Sequence, residues 1–240
     1  MTFSTSKLYI FSDFDGTISL EDLGDEVFRY FGTIQPYNSQ LKNKEIDIVS
    51  YWHKVCNEIK EGTTIADIEN FVSDKQIDYN FPDFADWTEQ IKANLFIVSD
   101  GFDSYIKPIL EREKLNRIKL FSNSLIDNNG KIEPVFYNRV ESCKCFSASC
   151  KRNSVLTNLP DDAISVYIGD GFSDFCPAEY VDIVFAKKNL AKYCNEHRIT
   201  HYNFKTFFDV KILLEKAIND NKIKKKNRAE IKRKKAFEYE

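Results

Sequence analysis

The stretch Leu8-Tyr-Ile-Phe-Ser-Asp-Phe-Asp-Gly-Thr17 decides the fold. A short apolar run, Leu8 to Phe11, ends in an acidic turn, the pattern of a buried parallel strand that delivers carboxylates at its C-terminal end. The same grammar returns twice. Leu95-Phe-Ile-Val98 runs into Ser99-Asp-Gly101, and Ile164-Ser-Val-Tyr-Ile168 runs into Gly169-Asp-Gly-Phe-Ser-Asp174, each followed by a helix-like segment. Repeated strand, polar loop and helix predict an α/β fold with a doubly wound parallel sheet flanked by helices, whose ligands bind beyond the carboxyl ends of the strands.

Outward from this core, Asp13 and Ser99 lie much further apart than the dozen or so residues a crossover between parallel strands requires. An insertion is therefore expected. Leu23, Val27, Phe28 and Phe31 fall on one helical face that ends at Gly32, and similar patterns follow over Ile46 to Ile59 and Ile65 to Val72. The expected division is a core over 1–18 and 81–220, a small helical cap over 19–80, and a basic C-terminal tail over 221–240. Asp127-Asn-Asn-Gly130 between two apolar runs signals a hairpin, and Asp182 to Ala186 reads as a further core strand. Asn189 to His197 and Lys205 to Asn219 read as closing helices.

Lys and Arg number 34 against 37 Asp and Glu, and this net charge of -3 gives no sign of nucleic acid or an anionic membrane as partner. The charge is unevenly spread. From Lys222 onward nine basic residues stand against Glu230, Glu238 and Glu240, so the tail carries +6 and the rest -9. Ala229, Ile231 and Ala236 are too sparse for an apolar stripe, and a solvated helix is expected there. No apolar run approaches a membrane span, and Leu8 to Phe11 is too short for a signal-peptide core, so a cytoplasmic protein is expected. Its six cysteines are then expected as reduced thiols or metal ligands. Cys143, Cys145 and Cys150 offer three parts of a zinc site, without an obvious fourth.

Asp13 and Asp15 place two carboxylates at a strand end, where one can attack phosphorus while the other protonates the leaving oxygen and later deprotonates water. An anion attacking a phosphate needs counter-charge. A hard cation such as Mg²⁺ suits such a site, and Asp170 and Asp174, after another predicted strand, are candidate ligands. Ser99 with Asp100 and Gly101, read as a helix start, offers a hydroxyl and backbone amides for phosphate, and Lys151 before the next helix offers a positive charge. Taken singly, each has a plainer reading as a turn or a helix cap.

In conjunction and in order, Asp-x-Asp-Gly-Thr, Ser after a strand, Lys before a helix and Gly-Asp-x-x-x-Asp resemble the haloacid dehalogenase superfamily of aspartate-nucleophile phosphohydrolases. The resemblance implies a Rossmann-like core with a cap inserted after the first strand. It implies Asp13 as nucleophile, Asp15 as general acid/base and Mg²⁺ ligand through its carbonyl, and Thr17 as a supporting group. Ser99 and Lys151 would hold the phosphoryl group, Asp170 would ligate Mg²⁺, with Asp13 beside it, and Asp174 would be a ligand or its partner. Within the superfamily the chain looks closest to the phosphoserine-phosphatase-like branch and, nearly end to end, resembles the methionine-salvage phosphatases of 2-hydroxy-3-keto-5-methylthiopentenyl-1-phosphate. Ser142 to Lys151 and Val184 to Leu190 carry that likeness. Ser99-Asp100 and Gly169 to Pro177 look more like phosphoethanolamine/phosphocholine phosphatases. Asp22 falls where phosphoserine phosphatases read the substrate amine with Glu, and it also completes a capping box with Ser19. Asp100 would either cap the next helix or face a cationic headgroup. The implied activity is hydrolysis of a small phosphorylated metabolite, with a phosphotransferase or mutase as the alternative and a homodimer left open. A non-catalytic binding protein is disfavoured, since a dead site has no physical reason to keep Asp13 and Asp15 crowded together.

Overall fold

The computed structural model describes residues 4–139, 143, 145 and 147–238. β1 (Leu8–Ser12) leads into α1 (Leu23–Phe31), α2 (Tyr37–Lys42), α3 (Ile48–Asn57), α4 (Ile65–Phe71) and α5 (Phe81–Gln90). Next come β2 (Asn94–Phe102), α6 (Asp103–Arg112), β3 (Lys119–Asn128), β4 (Lys131–Val135) and α7 (Lys151–Asn158). The chain closes with β5 (Ile164–Gly169), α8 (Phe175–Ala178), β6 (Ile183–Ala186), α9 (Lys188–Glu196), β7 (Tyr202–Asn203), α10 (Phe207–Asn219) and α11 (Asn227–Glu238). The described strands form one sheet of order β4-β3-β2-β1-β5-β6-β7, parallel except for the β3–β4 hairpin. Its turn places Asn129 at φ 54° and Gly130 at φ 82°, as the Asn-Gly pair predicts.

Both faces of the sheet are covered at its centre, so β1, β5 and β6 are buried and mostly apolar along their length. Leu8, Ile10, Val166, Ile168, Ile183 and Phe185 point to one face, where they meet Phe81 and Phe84 of α5, Ile106 and Ile109 of α6, and Phe207 of α10. Phe11, Tyr167, Val184 and Ala186 point to the other, against Val155 of α7, Ala178 of α8 and Leu190 of α9. β1 pairs with β2 on one side and β5 on the other, so the chain reverses its winding at β1 and opens a crevice there.

Helices α1 to α4 occupy the excursion between β1 and α5. Its two ends meet: Ser19 bridges Ile77, and the Asp78 amide donates to the Ile18 carbonyl at 2.8 Å. Local capping defines the helices. Asp47 accepts from the Ser50 amide at the start of α3, and Thr64 with Asp67 forms a capping box on α4. The box expected from Ser19 and Asp22 does not form. Asp22 itself is the N-cap of α1 and accepts from the Asp25 amide at 3.0 Å, while Ser19 faces back into the preceding loop.

The C-terminal segment is not a solvated helix. Asp182, fully buried, accepts from the Ser165 amide and hydroxyl and from the Lys226 amide, and pairs with Arg233 at 3.3 Å. Arg233 also donates to the Tyr180 carbonyl, Lys232 pairs with Glu179, and Ile223 and Ala229 are buried. Lys232 and Arg233 meet a half-buried and a buried acid of the core, which apolar periodicity alone does not reveal. No described helix is long and apolar enough to cross a membrane.

Arg233→Ala is expected to lower unfolding stability by about 2 kcal/mol, the scale of a lost hydrogen bond to a buried charge, with little change in turnover. Urea denaturation measures it, and an unchanged midpoint would show that α11 does not depend on this contact.

Candidate active site

Asp13 follows β1 directly; its amide donates to the Ile168 carbonyl at 2.9 Å and so continues the pairing with β5. The chain then turns sharply. Gly16 takes φ 68°, and a Cβ there would stand 2.7 Å from an Asp170 carboxylate oxygen, so only glycine fits. Asp13 Oδ1 accepts from the Phe14 amide at 2.7 Å and from Lys151 Nζ at 2.7 Å. Lys151, the first residue of α7, is almost fully buried and also reaches Asp174 Oδ1 and Ser173 Oγ, each at 2.8 Å. Burial alone would lower the Lys151 pKa, but Asp13 and Asp174 outweigh it and hold it above its ordinary range.

Asp174 is saturated with donors. Its second oxygen accepts from the Asp170 and Gly171 amides at 2.8 and 2.9 Å, and Tyr167 donates its hydroxyl to the first at 2.7 Å. Burial pushes its pKa up, yet Lys151 and these donors hold it below the usual carboxylate range. Asp13 goes the other way: burial and then the charge of Asp174 push it well up against the pull of Lys151. Asp170 accepts from the Thr17 hydroxyl at 2.9 Å and pairs with Lys188 at 2.9 Å. Carboxylate oxygens of Asp13, Asp170 and Asp174 all lie within 4.8 Å of one another. Three buried acids whose mutual repulsion raises Asp13 fit a hard divalent cation, which would draw Asp13 back to its ionised form.

Asp15 lies on the other flank. Its carboxylate accepts from the Leu23 amide at 3.1 Å, the Tyr105 hydroxyl at 3.2 Å and the Ser99 hydroxyl at 3.4 Å. Burial, followed by the charge of Asp22, pushes its pKa up to about 8, so it holds a proton at neutral pH. Ser99 and Gly101 do not start a helix. A bulge between Val98 and Phe102 keeps β2 paired with β3 as far as Asn123, and α6 begins at Asp103. The Gly101 amide donates to Ser99 Oγ at 2.9 Å. A Cβ on Gly101 would lie 2.0 Å from the Tyr105 hydroxyl and 2.7 Å from Asp15, so glycine is what lets Tyr105 reach Asp15.

Asp100 does not cap α6, whose N-cap is Phe102. Its half-buried carboxylate accepts through Oδ1 from the Ser149 amide at 2.8 Å and the Ser147 hydroxyl at 3.0 Å, which grips the segment just before Lys151. Asn123 donates to its carbonyl at 2.7 Å. Tyr105, Tyr167, Lys188, Ser147 and Ser149 are site residues that the motifs did not single out. Tyr105 and Tyr167 look like ordinary core aromatics in sequence, and only their hydroxyls' partners set them apart.

The family model described as "Putative Phosphatase" matches residues 8–211, which spans the whole constellation. The chain belongs to this family. As a member it is a phosphatase, a phosphoric monoester hydrolase. It is 28% identical over 221 residues to Pdp3-interacting factor 1 of Schizosaccharomyces pombe, covering 88% of this chain and 96% of that one. The polyol phosphate phosphatase PYP1 of Saccharomyces cerevisiae is 26% identical, with 85% and 91% covered. The 2-hydroxy-3-keto-5-methylthiopentenyl-1-phosphate phosphatase of Brevibacillus brevis is also 26% identical, with 88% and 96% covered. Among solved structures, a phosphoserine phosphatase in a phospho-aspartyl intermediate analogue state superposes with a TM-score of 0.64 at 18% identity, over 86% of this chain and 97% of that chain. This likeness places the phosphatase's core in the haloacid dehalogenase fold.

Gly101→Ala is expected to cut aryl phosphate turnover about 100-fold, because misplacement of a reacting group by an ångström costs that much. Tyr105→Phe, which only deletes a hydrogen bond, should cost about tenfold. Wild-type turnover by Gly101→Ala would show that the Tyr105–Asp15 contact is dispensable.

Proposed function

We propose that this phosphatase hydrolyses a small phosphate monoester with an uncharged organic portion, through an aspartyl phosphate on Asp13 and with Mg²⁺, in the cytoplasm. The observation that carries the reading is the difference in partners on the two flanks: Asp13 is paired with a buried lysine, while Asp15 faces the Tyr105 and Ser99 hydroxyls and burial raises its pKa to about 8. Both hydrogen bonds that Asp13 accepts among the described residues go to Oδ1, which leaves Oδ2 as the attacking atom. Lys151 counters the charge that builds on the phosphoryl oxygens, and Ser99 Oγ offers them a hydrogen bond. Asp15 gives its proton to the leaving alkoxide, then takes one from the water that cleaves the acyl phosphate.

Asp13 and Asp170 would hold the magnesium ion, which supplies Lewis-acid neutralisation of phosphate charge when bound. Asp174, its oxygens already occupied, acts instead by holding Lys151 and the Asp170 backbone in place. Thr17 does the same for the Asp170 carboxylate.

Support for an uncharged substrate body comes from the acids that might otherwise greet a cation. Asp100 is bonded into the segment before Lys151, and Asp22 caps α1. Relatives named for polyol phosphate and for an enol phosphate of methionine salvage share an uncharged, oxygen-rich carbon chain. The methionine-salvage type of substrate is the favoured one, ahead of phosphocholine or phosphoethanolamine. A hundredfold higher kcat/KM for phosphocholine than for an enol or polyol phosphate would reverse this choice.

Asp13→Asn should abolish turnover with the fold intact, since an amide cannot attack phosphorus. Asp15→Asn should slow alkyl phosphates by about 100-fold or more, with a much smaller effect on aryl phosphates, whose leaving groups need no proton. Equal losses on both substrates would remove Asp15 from the acid role. Chelation should silence the enzyme and Mg²⁺ restore it; turnover in excess chelator would exclude the metal.

A further inference from the structure

Sequence reading left Cys143, Cys145 and Cys150 without a fourth ligand, and folding supplies one from α8. Cys176 Sγ lies 3.8 Å from Cys143 Sγ. The thiols of Cys143, Cys145 and Cys176 all lie within 4.8 Å of one another; Cys150 stands outside this triplet, with its thiol near enough to those of Cys143 and Cys145 to interact with them. In a tetrahedral tetrathiolate with metal–sulfur bonds of about 2.3 Å, neighbouring sulfurs stand about 3.8 Å apart. The spacing of the triplet is that of ligands around a shared centre, with Cys150 beside it; a disulfide would bring two sulfurs to about 2.05 Å and leave the others aside.

Packing does not explain the gathering. Cys56 and Cys194 are buried among apolar side chains, as isolated cysteines usually are, whereas Cys143, Cys145 and Cys176 are only half-buried. Arg152 lies close enough to Cys143, Cys150 and Cys176 to interact with their charge, which offsets the double negative charge of a zinc tetrathiolate. The cluster also occupies a strategic place. Cys150 immediately precedes Lys151, and Cys176 stands two residues beyond Asp174. Lys151 and Asp174 are themselves paired at 2.8 Å.

We propose that Cys143, Cys145, Cys150 and Cys176 form a tetrathiolate site for a structural zinc ion that fastens the segment carrying Lys151 to the loop carrying Asp170 and Asp174. The soft thiolates select zinc over magnesium, so the two metals occupy separate sites. With four protein ligands the ion has no open position and takes no part in hydrolysis. Its contribution to turnover rests on the placement of Lys151 described above; its presence does not.

The test is metal analysis of the full chain purified in reductant without chelator, with cobalt exchange as a second readout. About one zinc per chain is expected, and the cobalt form should show the intense visible bands of a tetrahedral thiolate site. Cys176→Ser should reduce bound zinc about tenfold or more and raise KM for an aryl phosphate, while Cys194→Ser keeps its zinc. Should Cys176→Ser fail to fold, the zinc content and cobalt spectrum of the unaltered chain decide alone. Less than about a tenth of a zinc per chain, iron in its place, or a Cys143–Cys176 disulfide found by mass spectrometry would each overturn the site. An unaltered chain that holds zinc but hydrolyses no phosphate ester would leave the zinc site standing and count against the proposed hydrolysis.

Discussion

The ion pair that everything else in this protein serves is the one made by Lys151, buried between Asp13 and Asp174. A lysine removed from water is costly, and so are carboxylates gathered within one site; each makes the other tolerable. The pairing joins three separate parts of the chain: the end of β1, the start of α7 and the turn before α8. Their convergence follows from the sheet order, because β1 and β5 are neighbours and their C-terminal ends open on the same crevice. Lys151 has two carboxylate partners, so the loss of one charge still leaves it paired within the fold.

Each carboxylate is tuned by a tyrosine from a different element. Tyr105 of α6 donates to Asp15, and Tyr167 of β5 donates to Asp174. Their environments push the two acids apart. Asp15 has no lysine in contact and lies near Asp22, so burial wins over its three donors and its pKa rises. Asp174 faces a lysine, two amides and a hydroxyl, so charge and hydrogen bonding win. Acid chemistry at Asp15 and charge pairing at Asp174 are thus two outcomes of neighbouring sites, separated by the lysine that Asp174 contacts and Asp15 does not.

The motif residues were legible in sequence because strand ends carry them: Asp13, Asp15, Ser99, Lys151, Asp170 and Asp174 all border predicted elements, and the sheet faces follow from alternation in β1, β5 and β6. What was not legible depends on contacts between distant segments. Nothing local distinguishes Tyr105 or Tyr167 from other core aromatics. Asp100 read as a cap or a headgroup ligand because it precedes a helix-like run, yet the bulge in β2 turns its carboxylate toward Ser147 and Ser149. The fourth cysteine stood 26 positions beyond Cys150, inside a motif already read for its aspartates. Helix α2, six residues long, gave too little periodicity to be seen.

Part of the uneven charge of the chain is met inside the molecule. A basic tail on an acidic body suggests an outside partner, but Lys232, Arg233 and the Lys226 amide are engaged by Glu179 and Asp182 of the same chain. Asp182 also holds the amide and hydroxyl of Ser165 on β5. The segment from Ser165 to Asp182 is therefore restrained at both ends by one carboxylate, which α11 neutralises. That segment carries Asp170 and Asp174 between those ends. A helix remote in sequence from every motif thus braces the loop on which the buried lysine depends, and the tail's charge is matched to acids of the core that would otherwise be buried with fewer partners.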